Sequence, residues 1–357
     1  MHYDFVIVGC GFAGAATAYH LSRSGLQSIL LIDREKVPGY HASGRNASLF
    51  LQSVADPMLR EMTVACRRAY ESLSGRVDFD QHGSLLLGTR EALEECRAPD
   101  LVETVFREPA EIRDRIPVLA DHAFESALET PSDGVMDISA LLQFYIEAAR
   151  ERGTEVLLDC RLESVTGDSP FVLSTSKGRI QASTLVNAAG AWAAEIGRLA
   201  GATEIPLTPW KRHLFVLDGI PGLARDMPFV WDLAQEFYFR SESGGLLFSI
   251  CDELPSKSLE PTVDPAITAE LAELILRELP RASGGTVRQA WSCFRTKAED
   301  GGFVIGPDPG VDRFFWVAGL GGHGMGTSWE VGRLAAAALA TDRPLSASVK
   351  PTRFTTV

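Results

Sequence analysis

Residues 5–14 read FVIVGCGFAG, an apolar stretch that runs into three closely spaced glycines. The pattern predicts a buried β-strand, a tight turn at Gly9 and then a helix. Gly11 lets the backbone approach a pyrophosphate, and Gly14 lets the helix pack closely against the strand. The start of the helix then faces the phosphates. The stretch therefore predicts the first half of a dinucleotide-binding βαβ unit.

The second half follows at residues 28–32, SILLI, which predict another buried strand that ends at Asp33. This acid lies about 20 residues beyond the glycines, where a carboxylate accepts hydrogen bonds from an adenosine ribose. Two interpretations stay open for Arg34. It is either a contact for a 2′-phosphate or a solvated surface charge between Asp33 and Glu35.

Length, composition and charge indicate the class of protein. A chain of 357 residues exceeds the usual limit of a single core, so we expect two domains. Apolar residues make up 45% of the sequence and 32 residues are glycine, which is typical of globular α/β proteins with many turns. The net charge of −13 argues against nucleic acid, and against an anionic membrane, as the main partner.

The cysteines and the hydropathy indicate the compartment. The six cysteines form no CxxC pair and no Cys/His cluster with metal-ligand spacing, so we expect a reduced protein without a structural metal. The sequence starts directly on the first strand, and no apolar run reaches the ~18 residues of a transmembrane helix. We therefore expect a cytoplasmic protein without an integral membrane segment. Peripheral attachment to the inner membrane leaves little mark on a sequence and stays open.

The order of the predicted elements indicates two layers that alternate along the chain. A helix is expected at 57–73, and GSLLLG at 83–88 predicts a strand that starts a different layer. An amphipathic helix at 139–151 precedes a strand at 155–158 that returns to the first sheet. Residues 206–285 contain alternating stretches that are typical of an antiparallel sheet.

The last 70 residues again show the pattern of the first unit, an apolar strand followed by a helix, here at 314–318 and 327–340. We therefore predict an α/β fold in a two-domain α+β arrangement. A Rossmann-like nucleotide-binding domain is joined to a mixed, largely antiparallel domain that binds the substrate. The nucleotide-binding domain is discontinuous and comprises 1–80, 139–205 and 286–357; the substrate-binding domain comprises 81–138 and 206–285.

Five motifs in this order resemble the D-amino acid oxidase superfamily of flavoproteins, which includes glycine oxidase, sarcosine oxidase and D-amino acid dehydrogenases. The resemblance spans nearly the whole chain. Its motifs are GCGFAG at 9–14, PGYHASGRNAS at 38–48, VNAAGAW at 186–192, WSCFRTKAEDGGFVIGPDP at 291–309 and GLGGHGMGTS at 319–328.

The resemblance implies FAD as the cofactor. It places the pyrophosphate on the first glycine loop, the adenosine ribose at Asp33, and the flavin against residues 43–47. Residues 321–325 then supply backbone donors near the pyrimidine edge of the ring, where they stabilise the reduced anionic flavin. The implied FAD-binding residues are Gly9, Gly11, Phe12, Ala13, Gly14, Asp33, Arg34, Ser43, Gly44, Arg45, Asn46, Ala47, Leu162, Ala189, Gly190, Trp192, Cys293, Gly321, Gly322, His323, Gly324 and Met325.

Three further residues match substrate-binding positions of the family. Arg295 matches the arginine that pairs with the substrate carboxylate, and a guanidinium fork suits this task because it forms two parallel hydrogen bonds. Tyr238 matches a tyrosine that adds a hydroxyl, and Arg212 matches a substrate-side arginine. The alternatives are a structural ion pair for Arg295, a half-buried sheet aromatic for Tyr238 and a solvated strand end for Arg212.

The evidence for a functional role is weaker for two histidines and one cysteine. His323 either hydrogen-bonds the flavin or the substrate, or holds its own loop. His41 is expected to form hydrogen bonds within its loop. Cys293 aligns with the cysteine that binds FAD covalently in sarcosine oxidase, but a buried free thiol and non-covalent FAD are favoured.

Several positions depart from the family pattern. Leu49, Val54 and Ser84 stand where D-arginine dehydrogenase has a histidine, a tyrosine and a glutamate, so a small or apolar substrate side chain is expected. Gly326 replaces a carboxylate-binding lysine of sarcosine oxidase. Leu247 replaces a lysine that promotes reaction with oxygen, which favours a dehydrogenase over an oxidase.

Three functions are compatible with these residues. The leading hypothesis is oxidation of the carbon–nitrogen bond of a D- or N-substituted amino acid by hydride transfer to the flavin N5, which gives an imine that hydrolyses. The electrons then pass to a quinone, to another carrier or to oxygen. The alternatives are a 2-hydroxy acid dehydrogenase and a non-catalytic scaffold with the same fold.

Overall fold

A computed structural model describes residues 1–25, 28–256, 258–341 and 343–355. Its strands are β1 His2–Val8, β2 Ile29–Ile32, β3 Leu49–Phe50, β4 Phe79–Asp80, β5 Ser84–Gly88, β6 Val105–Arg107, β7 Ser126–Thr130, β8 Gly134–Met136, β9 Glu155–Leu157, β10 Leu162–Thr166, β11 Phe171–Thr175, β12 Gly178–Asn187, β13 Leu207–Asp218, β14 Phe229–Asp232, β15 Phe237–Glu242, β16 Gly245–Ser249, β17 Leu254–Pro255, β18 Thr286–Ala298, β19 Val304–Pro307 and β20 Phe314–Ala318. Its α-helices are α1 Phe12–Ser22, α2 Pro57–Glu71, α3 Arg90–Glu95, α4 Pro109–Arg115, α5 Ile138–Arg150, α6 Ala193–Leu199, α7 Pro265–Glu278 and α8 Ser328–Thr341.

The first sheet has a parallel centre in the order β20-β12-β1-β2-β9. Strand β12 is long, and its first half also pairs antiparallel with β11, which continues to β10. Strand β19 pairs antiparallel with β20 at the opposite edge. The central strand β1 is buried on both faces, as a parallel strand covered by helices requires, and Val6 and Ile7 are fully inaccessible.

The second sheet has the order β17-β13-β16-β15-β14-β5-β7-β6, and β18 pairs with β13. The pairings are antiparallel except for the parallel pair of β5 and β14. Along each of these strands, alternate residues point to opposite faces of the sheet. Phe215, Phe237 and Phe248 lie in a core packed by α7, whereas Leu214 and Tyr238 lie in a cluster on the other face. The predicted fold class, with a Rossmann-like part and a mixed, largely antiparallel part, is confirmed.

The boundary predicted at residue 286 does not match the sheet pairing. Residues 286–298 form β18, which pairs with β13 along nearly its whole length from Asp218 to Leu207. The first sheet resumes only at β19. The apolar residues of this stretch do not reveal which sheet they join, because a strand's partner lies far away in the sequence.

The predicted helices begin at recognisable caps. The helix expected at 57–73 is α2, whose first residue is a proline preceded by Asp56, which accepts a hydrogen bond from the Leu59 N–H at 2.9 Å. The helix expected at 139–151 is α5, capped in the same way by Asp137, which accepts from the Ala140 N–H at 2.9 Å.

Helices α1 and α8 pack against each other on one face of the first sheet with little space between their backbones. Gly332 of α8 lies on the backbone of Ala16 in α1, and an added Cβ would come within 2.5 Å of the Ala16 carbonyl carbon. Small residues at such a crossing let two helix axes approach. The packing ties the N-terminal helix to the C-terminal one.

Among the described residues, none of the helices is both long and apolar enough to cross a membrane. Those residues also contain no group of three or more potential metal ligands.

Substitution Gly332→Ala is expected to lower the free energy of unfolding by about 1–3 kcal/mol, because the new methyl group meets backbone atoms that cannot rotate away. This overpacking opposes the higher helix propensity of alanine, which is worth about 1 kcal/mol. Urea unfolding monitored by circular dichroism measures the change.

The matched control is Gly284→Ala, since an added Cβ there meets nothing within 4 Å and the residue needs no left-handed conformation. Its effect should stay within about 0.5 kcal/mol. Equal stability of both variants would show that the contact between α1 and α8 is not tight.

Candidate active site

A long cavity runs from the glycine loop after β1 to the inner face of the second sheet. It is lined by the first glycine loop, parts of the loop at 38–48, the segment after β12, the inner face of β13, β15 and β18, and the C-terminal glycine run. The predicted residues that line it are Gly9, Gly11, Phe12, Ala13, Asp33, Arg34, Ser43, Asn46, Ala47, Leu162, Ala189, Gly190, Trp192, Arg212, Tyr238, Cys293, Arg295, Gly321, Gly322, His323, Gly324 and Met325.

Three predicted residues do not line this cavity. Gly14 lies underneath it, where an added Cβ would collide with the carbonyl oxygen of Gly9. Gly44 packs on the backbone of Gly39, where an added Cβ would come within 2.7 Å of the Gly39 carbonyl oxygen. Arg45 lines a neighbouring cavity, and its guanidinium lies 4.6 Å from the ring centre of Tyr40.

The first glycine loop leaves backbone donors directed at the cavity. Gly9 has a left-handed φ of +109°, and an added Cβ would collide with the Ala188 carbonyl, so only glycine fits this turn. The Phe12 N–H donates to the Ser43 hydroxyl at 3.0 Å. The N–H of Ala13 has no acceptor among the described residues. The start of α1 therefore offers a free donor together with the positive end of the helix dipole.

Asp33 lies at the cavity wall and is held by two backbone donors. Its carboxylate accepts from the N–H of Cys10 at 2.6 Å and from that of Glu35 at 2.8 Å. Burial raises the pKa of Asp33, while these hydrogen bonds act in the opposite direction. Next to it, the Arg34 guanidinium lies 4.8 Å from the ring centre of Trp192 and its side chain is 41% exposed.

The loop at 38–48 is fixed from several sides. His41 shares a hydrogen bond of 3.0 Å with Glu35, which lies before the loop rather than within it. The carbonyl of Arg45 accepts from the Trp291 indole at 2.9 Å, and that of Ala47 accepts from Arg240 at 2.8 Å. The second sheet thus holds this loop against the cavity.

The C-terminal glycine run leads into α8 and also directs its backbone to the cavity. The N–H groups of Gly322, Gly324 and Met325 have no acceptor among the described residues. The Met325 carbonyl accepts from the buried Tyr70 hydroxyl at 3.0 Å. Sequence reasoning missed Tyr70, because nothing in α2 signals a partner in the glycine run before α8.

The inner face of the second sheet carries the predicted substrate-binding residues. Arg212 pairs with Cys293 across β13 and β18, and Trp210 pairs with Arg295. Residues two apart on a strand share a face, so both arginines point to the same side. Tyr238 on β15 reaches that side as well and is 2% exposed.

Arg212 is not a solvated strand end, because it is only 3% exposed. Its Nε donates to the Asp252 carbonyl at 2.6 Å, and its Nη2 donates to Glu253 at 2.9 Å. Its Nη1 is buried without a hydrogen-bond partner among the described residues. Burial of a guanidinium nitrogen without an acceptor is costly, and the two bonds to Asp252 and Glu253 offset part of that cost.

Arg295 forms no hydrogen bond with another described residue, and its Nη1 lies 4.0 Å from Glu253. The strong bonds of Glu253 go instead to Lys297, whose Nζ lies 2.7 Å from both carboxylate oxygens. The surrounding cations hold the pKa of Glu253 below its ordinary value, despite partial burial. Sequence reasoning missed Glu253 and Lys297, although Lys297 shares a face with Arg295 at a spacing of two.

Tyr238 and His323 are both neutral at pH 7. Burial raises the pKa of Tyr238, opposed by the charges of Arg295 and Arg212. Burial, together with the charges of Arg295 and Lys297, lowers the pKa of His323 to about 4. The His323 ring forms no hydrogen bond with a described residue, whereas its carbonyl accepts from Thr327.

The positions that depart from the family pattern are not all at the cavity. Leu49 and Gly326 line it. Leu247 lies in the same apolar cluster as Tyr238 on the inner face of the second sheet. Val54 is not among the lining residues, and Ser84 is buried with its hydroxyl on Asp133 at 2.6 Å. Ser84 is thus a structural residue of the second sheet.

Comparison with known proteins identifies the family to which the chain belongs. A family model described as "FAD dependent oxidoreductase", DAO, matches residues 4–338, which are most of the chain. The chain belongs to the DAO family. Its cofactor is therefore FAD, and the predicted family is confirmed.

Individual DAO-family relatives are distant in sequence. Rat mitochondrial dimethylglycine dehydrogenase is 26% identical over 362 residues, which cover 92% of this chain and 42% of that protein. Monomeric sarcosine oxidase of Bacillus sp. (strain NS-129) is 26% identical, with 93% of this chain and 91% of the oxidase covered. The crystal structure of L-proline dehydrogenase from P. horikoshii matches with a TM-score of 0.87 at 23% identity, covering 99% and 98% of the two chains. The chain spans less than half the length of the dimethylglycine dehydrogenase.

The residues present fit the FAD of the DAO family. A long cavity begins at the start of α1 and ends at the glycine run before α8, and unpaired backbone donors lie at both places. Such donors suit the oxygen atoms of a pyrophosphate at one end and of a flavin ring at the other. The absence of side chains at Gly9, Gly11 and Gly322 keeps the backbone accessible.

Cys293 lies at 6% exposure in the cavity wall of this DAO-family protein, close to Tyr238 and Leu214 in one apolar cluster. It forms no disulfide. Burial raises the pKa of its thiol, despite the nearby charges of Arg295 and Arg212. The thiolate, not the thiol, is the nucleophile in thioether chemistry, so this environment favours a free thiol.

Acid precipitation of the purified protein is expected to release the flavin into the supernatant, because the Cys293 thiol stays protonated. Absorbance of the supernatant and mass spectrometry of the pellet measure the distribution. Cys293→Ser serves as the comparison and should release the same fraction. Flavin that remains with the wild-type pellet but leaves the variant would establish a thioether.

Asp133 supports the cavity from behind. It is fully buried, and its carboxylate accepts from the backbone N–H of Gln52 at 3.0 Å, from the Gln52 side chain at 2.9 Å and from Ser84. Gln52 follows Leu51, which lines the cavity. Burial raises the pKa of Asp133 from 3.8 to about 7, against these hydrogen bonds.

The raised pKa of Asp133 predicts a pH-dependent stability. Between pH 3.8 and about 7 the folded state keeps a proton that the unfolded state releases, so stability falls as pH rises through this range. The slope from this group is at most roughly 1.4 kcal/mol per pH unit. Asp133→Asn removes this contribution to the slope, and the amide keeps an oxygen that accepts from Gln52 and a donor for Ser84.

Urea unfolding across this pH range should therefore show that the stability of the wild type relative to Asp133→Asn decreases with pH. The control is Asp312→Asn, at a side chain that is 88% exposed. Parallel profiles for the wild type and Asp133→Asn would contradict the assignment.

Proposed function

We propose that this protein oxidises the carbon–nitrogen bond of a D-amino acid or an N-substituted amino acid with a small or apolar side chain. The observation that carries the proposal is the Arg295 fork, which faces the FAD cavity without an intramolecular hydrogen bond to a described residue. The names of two relatives, dimethylglycine dehydrogenase and sarcosine oxidase, support an amino acid substrate with a substituted nitrogen.

Arg295 and Tyr238 are the proposed carboxylate clamp. Both lie on the inner face of the second sheet, and both line the cavity. A guanidinium donates two parallel hydrogen bonds to a carboxylate, and a neutral phenol adds a third. The clamp fixes the orientation of the α-carbon, which is the main contribution a protein makes when a cofactor carries out the chemistry.

FAD, when bound, supplies the acceptor for the hydride of the α-carbon. The surrounding described residues provide no strong base, since the lowered pKa of His323, about 4, makes its neutral imidazole only weakly basic, and the lining acids Asp33, Glu35 and Glu195 belong to the nucleotide end. The cationic Arg212 and Arg295 favour the neutral amine of the substrate over its ammonium form, because like charges disfavour protonation. The neutral amine has the lone pair that the oxidation requires, and water hydrolyses the imine product.

We further propose a dehydrogenase that passes electrons to a quinone or to another carrier. Leu247 supports this, because an apolar side chain stands in the cavity-side cluster where sarcosine oxidase has its oxygen-activating lysine. The first sheet with its helices forms the proposed FAD-binding domain, and the second sheet, now including β18, forms the proposed substrate-binding domain.

Anaerobic titration of the yellow protein with D-, L- and N-methyl amino acids tests the proposal, with bleaching of the flavin band as the readout. We expect reduction by a D- or N-substituted amino acid with release of ammonia or an amine. Arg295→Met should weaken binding of that substrate by about 2–5 kcal/mol, because the carboxylate loses its charged partner.

Arg288→Met is the matched control. Arg288 lies on the same strand, is 42% exposed and pairs only with Asp218 among the described acids, at 3.5 Å. Its affinity for substrate should equal that of the wild type. Reduction by 2-hydroxy acids alone would replace the proposal with a hydroxy-acid dehydrogenase, and a flavin that none of these compounds reduces would favour a scaffold.

A further inference from the structure

We propose that the ammonium group of Lys297 raises the reduction potential of the flavin from a fixed position beside the C-terminal glycine run. The inference goes beyond the proposed function, because it concerns the cofactor and holds for any substrate. It depends on the predicted position of the flavin ring next to residues 321–325. Lys297 is not among the residues that line the cavity, so its charge acts through space.

Lys297 lies directly against the glycine run. It shares the inner face of the second sheet with Arg295, since residues two apart on a strand point to the same side. The carbonyl of Thr296, between them, accepts the N–H of Gly321 at 2.9 Å. A Cβ added at Gly321 would lie 3.6 Å from the Cγ of Lys297, which is ordinary van der Waals contact. The stem of the lysine therefore packs against the start of the run.

Glu253 fixes the ammonium group of Lys297. The Nζ of Lys297 lies 2.7 Å from both carboxylate oxygens, and Arg212 donates to the same carboxylate at 2.9 Å. The two side chains of this ion pair are 31% and 32% exposed, so solvent screens their charges only in part. The ion pair therefore has a defined direction, which a free surface lysine would not have.

The positive end of the ion pair is the end that acts on the glycine run. Burial lowers the pKa of His323, inside the run, and the charges of Arg295 and Lys297 lower it further, whereas Glu253 does not contribute to this shift. Asp56 acts in the opposite direction and is the weakest of the causes. The electric potential at the run is thus positive. A positive potential stabilises the negative charge of a reduced flavin.

The contribution of Lys297 differs from that of the other nearby cation. Arg295 is proposed to pair with the substrate carboxylate, which offsets its charge when substrate binds. The partner of Lys297 is a residue of the protein itself, so its effect stays the same before and after binding. Gly326 and Leu247 stand where sarcosine oxidase has lysines, and Lys297 supplies an ammonium group from a different position.

The competing interpretation is an ion pair that only holds Glu253 and, through it, Arg212. Such a structural role predicts a change in stability or in substrate affinity when Lys297 is replaced. It predicts no change in the reduction potential, which depends on the charge and not on the contact. The potential therefore separates the two interpretations.

The experiment measures the midpoint potential of the FAD-loaded protein during slow anaerobic reduction by xanthine and xanthine oxidase with a reference dye. Xanthine supplies both electrons, so no amino acid is needed. Lys297→Met keeps an apolar stem against Gly321 and removes the charge. We expect the equilibrium constant for reduction to fall roughly 10-fold, which lowers the potential of a two-electron couple by about 30 mV.

Three further variants control for the sign, the charge and the place. Glu253→Gln should raise the potential, by less than Lys297→Met lowers it, because the carboxylate is the end of the ion pair farther from the run. Lys297→Arg retains the charge and should keep the wild-type potential. Arg288→Met removes a cation at the other end of β18, which is 42% exposed and pairs with Asp218 at 3.5 Å, and should change nothing.

Two results would overturn the inference. One is an unchanged potential in Lys297→Met, and the other is an equal shift in Lys297→Met and Lys297→Arg, which would indicate packing instead of charge. If Lys297→Met loses FAD, Glu253→Gln decides, and an unchanged or lower potential there rejects the inference. Shifted potentials in a protein that no amino acid reduces would retain the inference and reject the proposed oxidation.

Discussion

The absence of side chains at Gly9 and Gly14 is the constraint on which the cavity depends. A Cβ at Gly14 would collide with the Gly9 carbonyl, so α1 can lie this close to the end of β1 only with glycine there, and a Cβ at Gly9 would collide with the Ala188 carbonyl after β12. The position of α1 in turn determines that of α8, whose Gly332 rests on Ala16. Because the second glycine run leads directly into α8, one close packing arrangement positions the backbone donors at both ends of the cavity.

The second sheet presents polar side chains to the cavity because alternate residues of its strands point to opposite faces. On β13 and β15, one set of alternate residues fills an aromatic core with Phe215 and Phe237, and the other set turns Arg212 and Tyr238 to the cavity. Arg212 is tolerated there because the Asp252 carbonyl and the Glu253 carboxylate support it from behind. The buried core on one face therefore makes a rigid platform for polar groups on the other.

Local sequence patterns predicted the βαβ unit, the caps of α2 and α5 and the position of the glycine run before α8, because each depends on residues close together in the chain. Motif resemblance predicted Arg295, Tyr238 and Arg212 as substrate-binding residues, and all three line the cavity. The burial of Arg212 and its contact with Glu253 could not be predicted, since they require the turn after β16 to meet β13. The pairing of β18 with β13 was not predicted for the same reason: the partner of β18 lies far back in the sequence.

Strand β18 also links the two sheets mechanically. It pairs with β13 as far as Ala298, and the carbonyl of Thr296 accepts the N–H of Gly321 at 2.9 Å, at the start of the glycine run. The wall that holds Arg295 and the glycine run before α8 are therefore joined by a backbone hydrogen bond. This bond restricts their relative position before a ligand binds, which reduces the conformational entropy that binding has to remove at this seam.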